Sequence, residues 1–152
     1  AARKLVRRKQ RQYETQNLQF AEMREDADLK EYLDRTTFIN KDGEVCEFTD
    51  LQKHDLNLVL QKRYALLNWQ QGSGKTAAVY HRAKYLLKFR KAKNVIILAP
   101  AIATNMTWIP FLTINKERFR TIQTAGDLDN VPEGTFLVVS TSMLRKLKRG
   151  LM

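Results

Sequence analysis

Two stretches of the chain are continuously apolar. Val95-Ile96-Ile97-Leu98-Ala99 lies between Asn94 and Pro100, and Phe136-Leu137-Val138-Val139 lies between Thr135 and Ser140. Unbroken runs of β-formers of this length predict strands covered on both faces, as in a parallel sheet. Tyr64-Ala65-Leu66-Leu67-Asn68 reads as a further buried strand, and Arg120 to Thr124 as a short one. Between the runs the period becomes helical. Ala77 to about Lys91 predicts a long helix with Val79, Ala83, Leu86 and Leu87 inward. Thr104 to about Lys116 predicts another, with Pro110 expected to kink or split it. Gly126 to Gly134 reads as loop, and Ser142 to Arg149 as the start of one more helix. Strand and helix alternate from Ala65 onward, which predicts an α/β fold with a parallel sheet and a ligand at the carboxyl ends of its strands.

The pattern before residue 64 is different. Thr36 to Ile39 and Glu44 to Phe48 flank Asn40-Lys41-Asp42-Gly43, and Asp-Gly between β-formers predicts a hairpin. Thr49-Asp50-Leu51-Gln52 has the Thr-x-x-Gln form of a capping box. It should open a helix to about Lys62 with Leu56, Val59 and Leu60 inward. Residues 1–35 carry few apolar positions and suit one or two exposed helices with a weak apolar stripe. The expected division is therefore 1–35 helical arm or linker, 36–50 β-hairpin, and 51–152 α/β unit.

Charge sharpens this outline. The chain holds 27 Lys and Arg against 16 Asp and Glu, a formal net charge of +11. That excess favours a polyanionic partner, nucleic acid before anionic membrane. The arm is basic to Gln12 and acidic from Tyr13 to Arg35, which fits a solvated linker helix or a basic arm on nucleic acid. The row Lys84, Lys88, Lys91 reads as a solvated helix face or as a nucleic-acid contact. Cys46, the single cysteine, excludes an internal disulfide and a cysteine zinc cluster. An intracellular protein is expected, with no membrane partner. The start at Ala1 and the stop after a basic run suggest a piece of a longer chain.

The candidate chemistry lies at Trp69-Gln70-Gln71-Gly72-Ser73-Gly74-Lys75-Thr76, between an expected strand and an expected helix. Glycines let consecutive backbone N–H groups turn inward around phosphate oxygens, and the following helix adds its positive end. Lys75 would bring a full charge to the β- and γ-phosphates and Thr76 a hydroxyl to Mg²⁺. The strict phosphate-loop pattern has a glycine where this chain has Trp69. From Leu56 to Lys116 there is no Asp or Glu, while ten Lys or Arg occur. The stretch can hold phosphates but offers no carboxylate to the metal of a hydrolase. Asp127 and Asp129 follow no apolar strand and are not assigned as ligands.

In this order the segments resemble the first RecA-like lobe of superfamily-two helicases and translocases, most of all the Swi/Snf-type and related phage or viral ATPases. The likeness runs from about Leu51 to Leu147. It rests on Gln71-Gly72-Ser73-Gly74-Lys75-Thr76, on Leu98-Ala99-Pro100-Ala101 with the later Trp108, and on Leu137-Val138-Val139-Ser140-Thr141-Ser142-Met143-Leu144. The resemblance implies a partial RecA-like phosphate-loop lobe that binds ATP and Mg²⁺ through Gln71 to Thr76, with Lys75 and Thr76 in catalytic roles and Thr76 on the metal. It places Pro100, Ala101, Thr104 and Thr141 near a nucleic-acid backbone, DNA before RNA. It sets Asp55 where the family reads adenine with a glutamine, and beside it His54, expected to pack as an aromatic rather than act as a base. The family's acidic metal motif would follow Met152, and a second RecA-like lobe would complete the site. The parent protein would then be an ATP-driven helicase or translocase, and this chain alone would bind nucleotide with little or no hydrolysis. A non-catalytic nucleic-acid scaffold that kept the fold is the alternative. A small phosphotransferase is a weaker one, since no lid segment is recognisable.

Overall fold

A computed structural model describes residues 2–20, 23–144 and 146–147. Helix α1 (Ala2–Phe20) is followed by α2 (Ala27–Asp34), which is capped by the Asp26 carboxylate accepting from Leu29 N–H. Helix α2 is not simply an exposed arm, because it buries Leu29 and Leu33. Both pack into a cluster with Phe48, Leu56, Leu60, Ala77 and Ala78. Strands β1 (Thr37–Ile39) and β2 (Val45–Glu47) form the expected antiparallel hairpin, with Gly43 at φ 82° closing its turn. The Thr49/Gln52 capping box is present and opens α3 (Asp50–Leu60), whose Leu56, Val59 and Leu60 face inward.

The larger layer is a parallel sheet of β3 (Val95–Ala99), β4 (Phe119–Ile122) and β5 (Phe136–Ser140), in the order β3-β5-β4. Strand β5 lies in the middle, and its Phe136, Val138 and Val139 are fully buried. One sheet face packs Ile97, Phe136 and Val138 against Tyr80 and Ala83 of α4 (Lys75–Phe89) and against Leu112. The other packs Ile122, Leu137 and Val139 against Leu147. The chain is thus a mixed α/β fold with a three-stranded parallel sheet.

Between β3 and β4 a single helical segment changes pitch. It runs as α5 (Ala101–Ala103), a π-turn (Thr104–Trp108) and α6 (Ile109–Ile114). Pro110 sits in the first turn of α6, where its missing N–H costs nothing, and the wider π-turn absorbs the clash a proline imposes on the preceding turn. Of the last expected helix, Thr141–Met143 forms a 3₁₀ turn and Leu144, Lys146 and Leu147 are helical. Arg145 and residues 148–152 lie outside the described residues.

Four expectations fail. Residues 64–68 form no strand, and Tyr64 and Leu66 are 78% and 90% exposed. An apolar run becomes a strand only beside a free sheet edge, and this one is separated from β3 by a cavity of about 520 Å³ lined by Ala65, Leu67, Val79 and Ile96. Strand β3 is in turn covered on one face only, with Ile97 and Ala99 buried but Ile96 and Leu98 about half exposed. Val79 looks into the same cavity and is 41% exposed, while the buried face of α4 is Ala77, Ala78, Tyr80, His81 and Ala83. The lysine row is broken as well. Lys84 donates to Glu117 at 2.6 Å, and Lys91 lies beyond the helix end at φ 56°.

Candidate functional site

The loop before α4 curls where the sequence places its glycines. Gly72 and Gly74 both adopt left-handed backbone, at φ 78° and 83°, which a residue with a Cβ rarely takes. Ser73 N–H donates to the Gln70 carbonyl at 3.3 Å, and the Ser73 hydroxyl donates to the same oxygen. Gly74 occupies the N-cap of α4, so no side chain caps the helix. The N–H groups of its first turn are left to whatever binds there, and the helix dipole favours an anion. Lys75 is exposed and takes part in no ion pair among the described residues. Thr76 follows it, half-buried, in the first turn.

Helix α3 holds the loop from one side. Gln52 Oε1 accepts from Thr49 N–H at 2.9 Å, and its Nε2 donates to the Ser73 carbonyl at 2.8 Å. Gln52 Nε2 also lies 3.1 Å from the place a Cβ on Gly74 would take, so alanine there would meet both strain and contact. Trp69 Nε1 donates to Asp55 Oδ2 at 2.7 Å. Together Thr49, Leu51, Gln52, Asp55, Trp69 and Ser73 line much of a cavity of about 410 Å³ beside the loop. None of its lining residues belongs to a strand. The expected ligand position at the strand ends therefore does not coincide with this cavity.

The donor set fits a triphosphate: backbone N–H groups, two left-handed glycines and a free ammonium. For Mg²⁺ the loop offers the Thr76 hydroxyl, and the described residues contain no group of three or more His, Cys, Asp or Glu able to hold a metal. An ion here would rest on Thr76 and on oxygens of the phosphates themselves, a manner of binding common for Mg²⁺.

Pro100, Ala101 and Thr141 are exposed, immediately after the adjacent strands β3 and β5, which pair Ala99 with Ser140. Thr104 is not with them at the surface. It is 3% exposed, and its hydroxyl donates to the Ala99 carbonyl. His54 does not pack as an aromatic either. Its half-exposed ring lies with Nδ1 2.7 Å from Glu25. Asp127 accepts from Gln123 and Thr124 N–H groups in a 3₁₀ capping box, and those hydrogen bonds hold its carboxyl below the usual range.

The packed histidine is His81, which sequence reading did not single out. It is 8% exposed, among Phe38, Phe48 and Tyr80, with no hydrogen-bond partner on Nε2 among the described residues. Burial pushes its pKa down to about 4, against a smaller upward pull from a hydrogen bond with the Thr37 backbone. A folded-state pKa below the unfolded one means that the unfolded chain takes up the proton first as pH falls. Stability should therefore decline from about pH 6.5 to about pH 4, by on the order of 3 kcal/mol. Urea unfolding of the wild type and of His81→Phe across that window measures this. The difference between the two should depend on pH, and parallel curves would contradict the burial account.

Comparison of the chain with protein-family models, with curated proteins and with solved structures gives no match.

Proposed function

We propose that the chain is the ATP-binding part of an ATP-dependent nucleic-acid helicase or translocase, acting on DNA before RNA. One observation carries the reading: the uncapped start of α4 meets two left-handed glycines and an exposed ammonium with no ion pair among the described residues. Such a loop grips phosphates with main-chain donors, so its grip does not depend on the identity of the neighbouring side chains. Gln71, Gly72, Ser73 and Gly74 form the cradle, Lys75 supplies charge, and Thr76 would hold Mg²⁺ together with the phosphates. The bound metal would offset charge on the phosphate oxygens. Among the described residues lining the cavity beside the loop, the one carboxylate is Asp55, which Trp69 holds. Binding with little or no turnover is therefore expected of this chain, with hydrolysis requiring an acidic metal motif from elsewhere in the parent protein and arginines from its second lobe.

The net charge of +11 supports nucleic acid as the partner. Pro100, Ala101 and Thr141 form an exposed rim to which backbone phosphates could be held, while Thr104 serves the turn beneath it. Described residues include no helix long and apolar enough to cross a membrane. Affinity for a short DNA should fall about tenfold or more between 50 and 200 mM salt if only a few phosphates are neutralised. Fluorescence anisotropy at a series of salt concentrations tests this, and a flat response would remove nucleic acid as the ligand of the basic surface.

A further inference from the structure

The lysine row along α4 is broken, yet two of its members meet a cation from another helix. Lys84 and Lys88 of α4 and Arg35, at the end of α2, line one cavity of about 630 Å³. The rest of its described lining is uncharged near neutral pH, including His81, whose burial holds its pKa down to about 4. Two of the cations have an acidic partner outside that lining. Arg35 donates to Glu31, and Lys84 donates to Glu117 at 2.6 Å. An arginine carries five N–H donors and a lysine three, so most of this capacity is unspent. Lys88 has no ion pair among the described residues, and its ammonium lies 5.2 Å from the Phe89 ring centroid. The ring of His81, in the same wall, leaves Nε2 without a partner among the described residues. Unmet donors around a recess with no carboxylate in its described lining are what an anion completes.

The cavity is separate from the regions described above. Lys88 stands near the end of α4, about 20 Å of helix beyond Lys75 at its start. Gly134 lines the cavity just before β5, whereas Pro100, Ala101 and Thr141 follow the far ends of β3 and β5.

We infer that this cavity is a second nucleic-acid contact, which holds a backbone phosphate through Lys88 and Arg35, with Lys84 adding charge, and reads no base. It deepens the nucleic-acid part of the reading above and rests on it. A nucleic-acid strand can lay one phosphodiester into a recess, whereas a membrane surface cannot enter one. Contacts of this kind fix position and carry no sequence information.

Fluorescence anisotropy of the full chain with a short labelled single-stranded DNA, across about 50 to 200 mM salt, tests the inference. Lys88→Ala and Arg35→Ala should each weaken binding roughly three- to tenfold, equally for oligo-dT and for a mixed sequence. Each should also lower the slope of log affinity against log salt by about 0.7, the share of one phosphate on a single strand. Lys41→Ala removes the same charge from the exposed hairpin turn, outside the cavity lining, and should do markedly less. Tripolyphosphate binding, read by calorimetry, should be the same in the wild type and all three variants, with thermal melts confirming that each is folded. Losses in the two cavity variants no larger than in Lys41→Ala would overturn the contact and leave nucleic acid to other basic residues. A loss confined to one DNA sequence would overturn the backbone assignment. Weaker binding of Lys88→Ala to phosphatidylserine vesicles, with DNA binding unchanged, would give the cavity to a membrane instead. Absence of DNA binding, or a flat salt response in the wild type, would overturn the nucleic-acid reading and this inference with it.

Discussion

Lys75→Ala lowers affinity for a nucleoside triphosphate by roughly ten- to a hundredfold and leaves the folded state intact. The loss follows from removing a charge-assisted contact to phosphate, worth about 1.5–3 kcal/mol, at 1.4 kcal/mol per factor of ten. Stability is spared because Lys75 is exposed and has no ion pair to lose among the described residues. A cation in the first turn of α4 is also mildly unfavourable against the helix dipole, so its removal should shift the melting midpoint by about 2 °C at most. Calorimetric titration together with a thermal melt reads both quantities. Unchanged affinity would place the phosphates elsewhere. A large drop in the midpoint would mean that Lys75 has a structural partner.

Phe136→Ala should cost about 3–5 kcal/mol of unfolding free energy, a large share of the roughly 5–15 kcal/mol that holds a domain folded. Phe136 is fully buried at the start of the central strand, with its ring centroid 5.8 Å from that of Tyr80. Truncating it opens a cavity between sheet and helix that strands paired on both sides cannot close by collapsing. Leu66→Ala is the contrasting variant. At 90% exposure it should change stability by no more than about 0.5 kcal/mol. Urea titration of the two variants separates the structure from the sequence expectation, which made residues 64–68 a buried strand. Similar losses at both positions would restore that strand.

Elements whose pattern is local were legible in advance. The hairpin followed from Asp42-Gly43 between β-formers, the start of α3 from Thr49 and Gln52, and the irregularity of the helix before β4 from Pro110. Features that depend on a neighbour were not. Whether Tyr64 to Asn68 joins a sheet depends on an available edge, and whether Ile96 and Leu98 are covered depends on a second layer over β3. Neither condition is written in those residues.

The candidate site divides in the same way. Gly72, Gly74 and Lys75 could be placed from spacing alone, because backbone curvature and a helix start are local properties. The clip from Gln52 to Ser73 and the pair of Asp55 with Trp69 join residues 21 and 14 positions apart, and no short-range pattern encodes them. Trp69 first drew notice as the residue in place of a glycine, and it proved to be a wall of the cavity. His81 gave no signal, since a lone histidine in a helical run is indistinguishable from a surface one until its aromatic neighbours are known.

Amide chemical shifts of the ¹⁵N-labelled chain during titration with a non-hydrolysable ATP analogue and Mg²⁺ report residue by residue where the phosphates bind. The N–H resonances of Gly72, Ser73, Gly74, Lys75 and Thr76 should move together and saturate, and those of Lys75→Ala should move little at the same concentrations. Saturable shifts confined to other parts of the chain, with these five unmoved, would contradict the account.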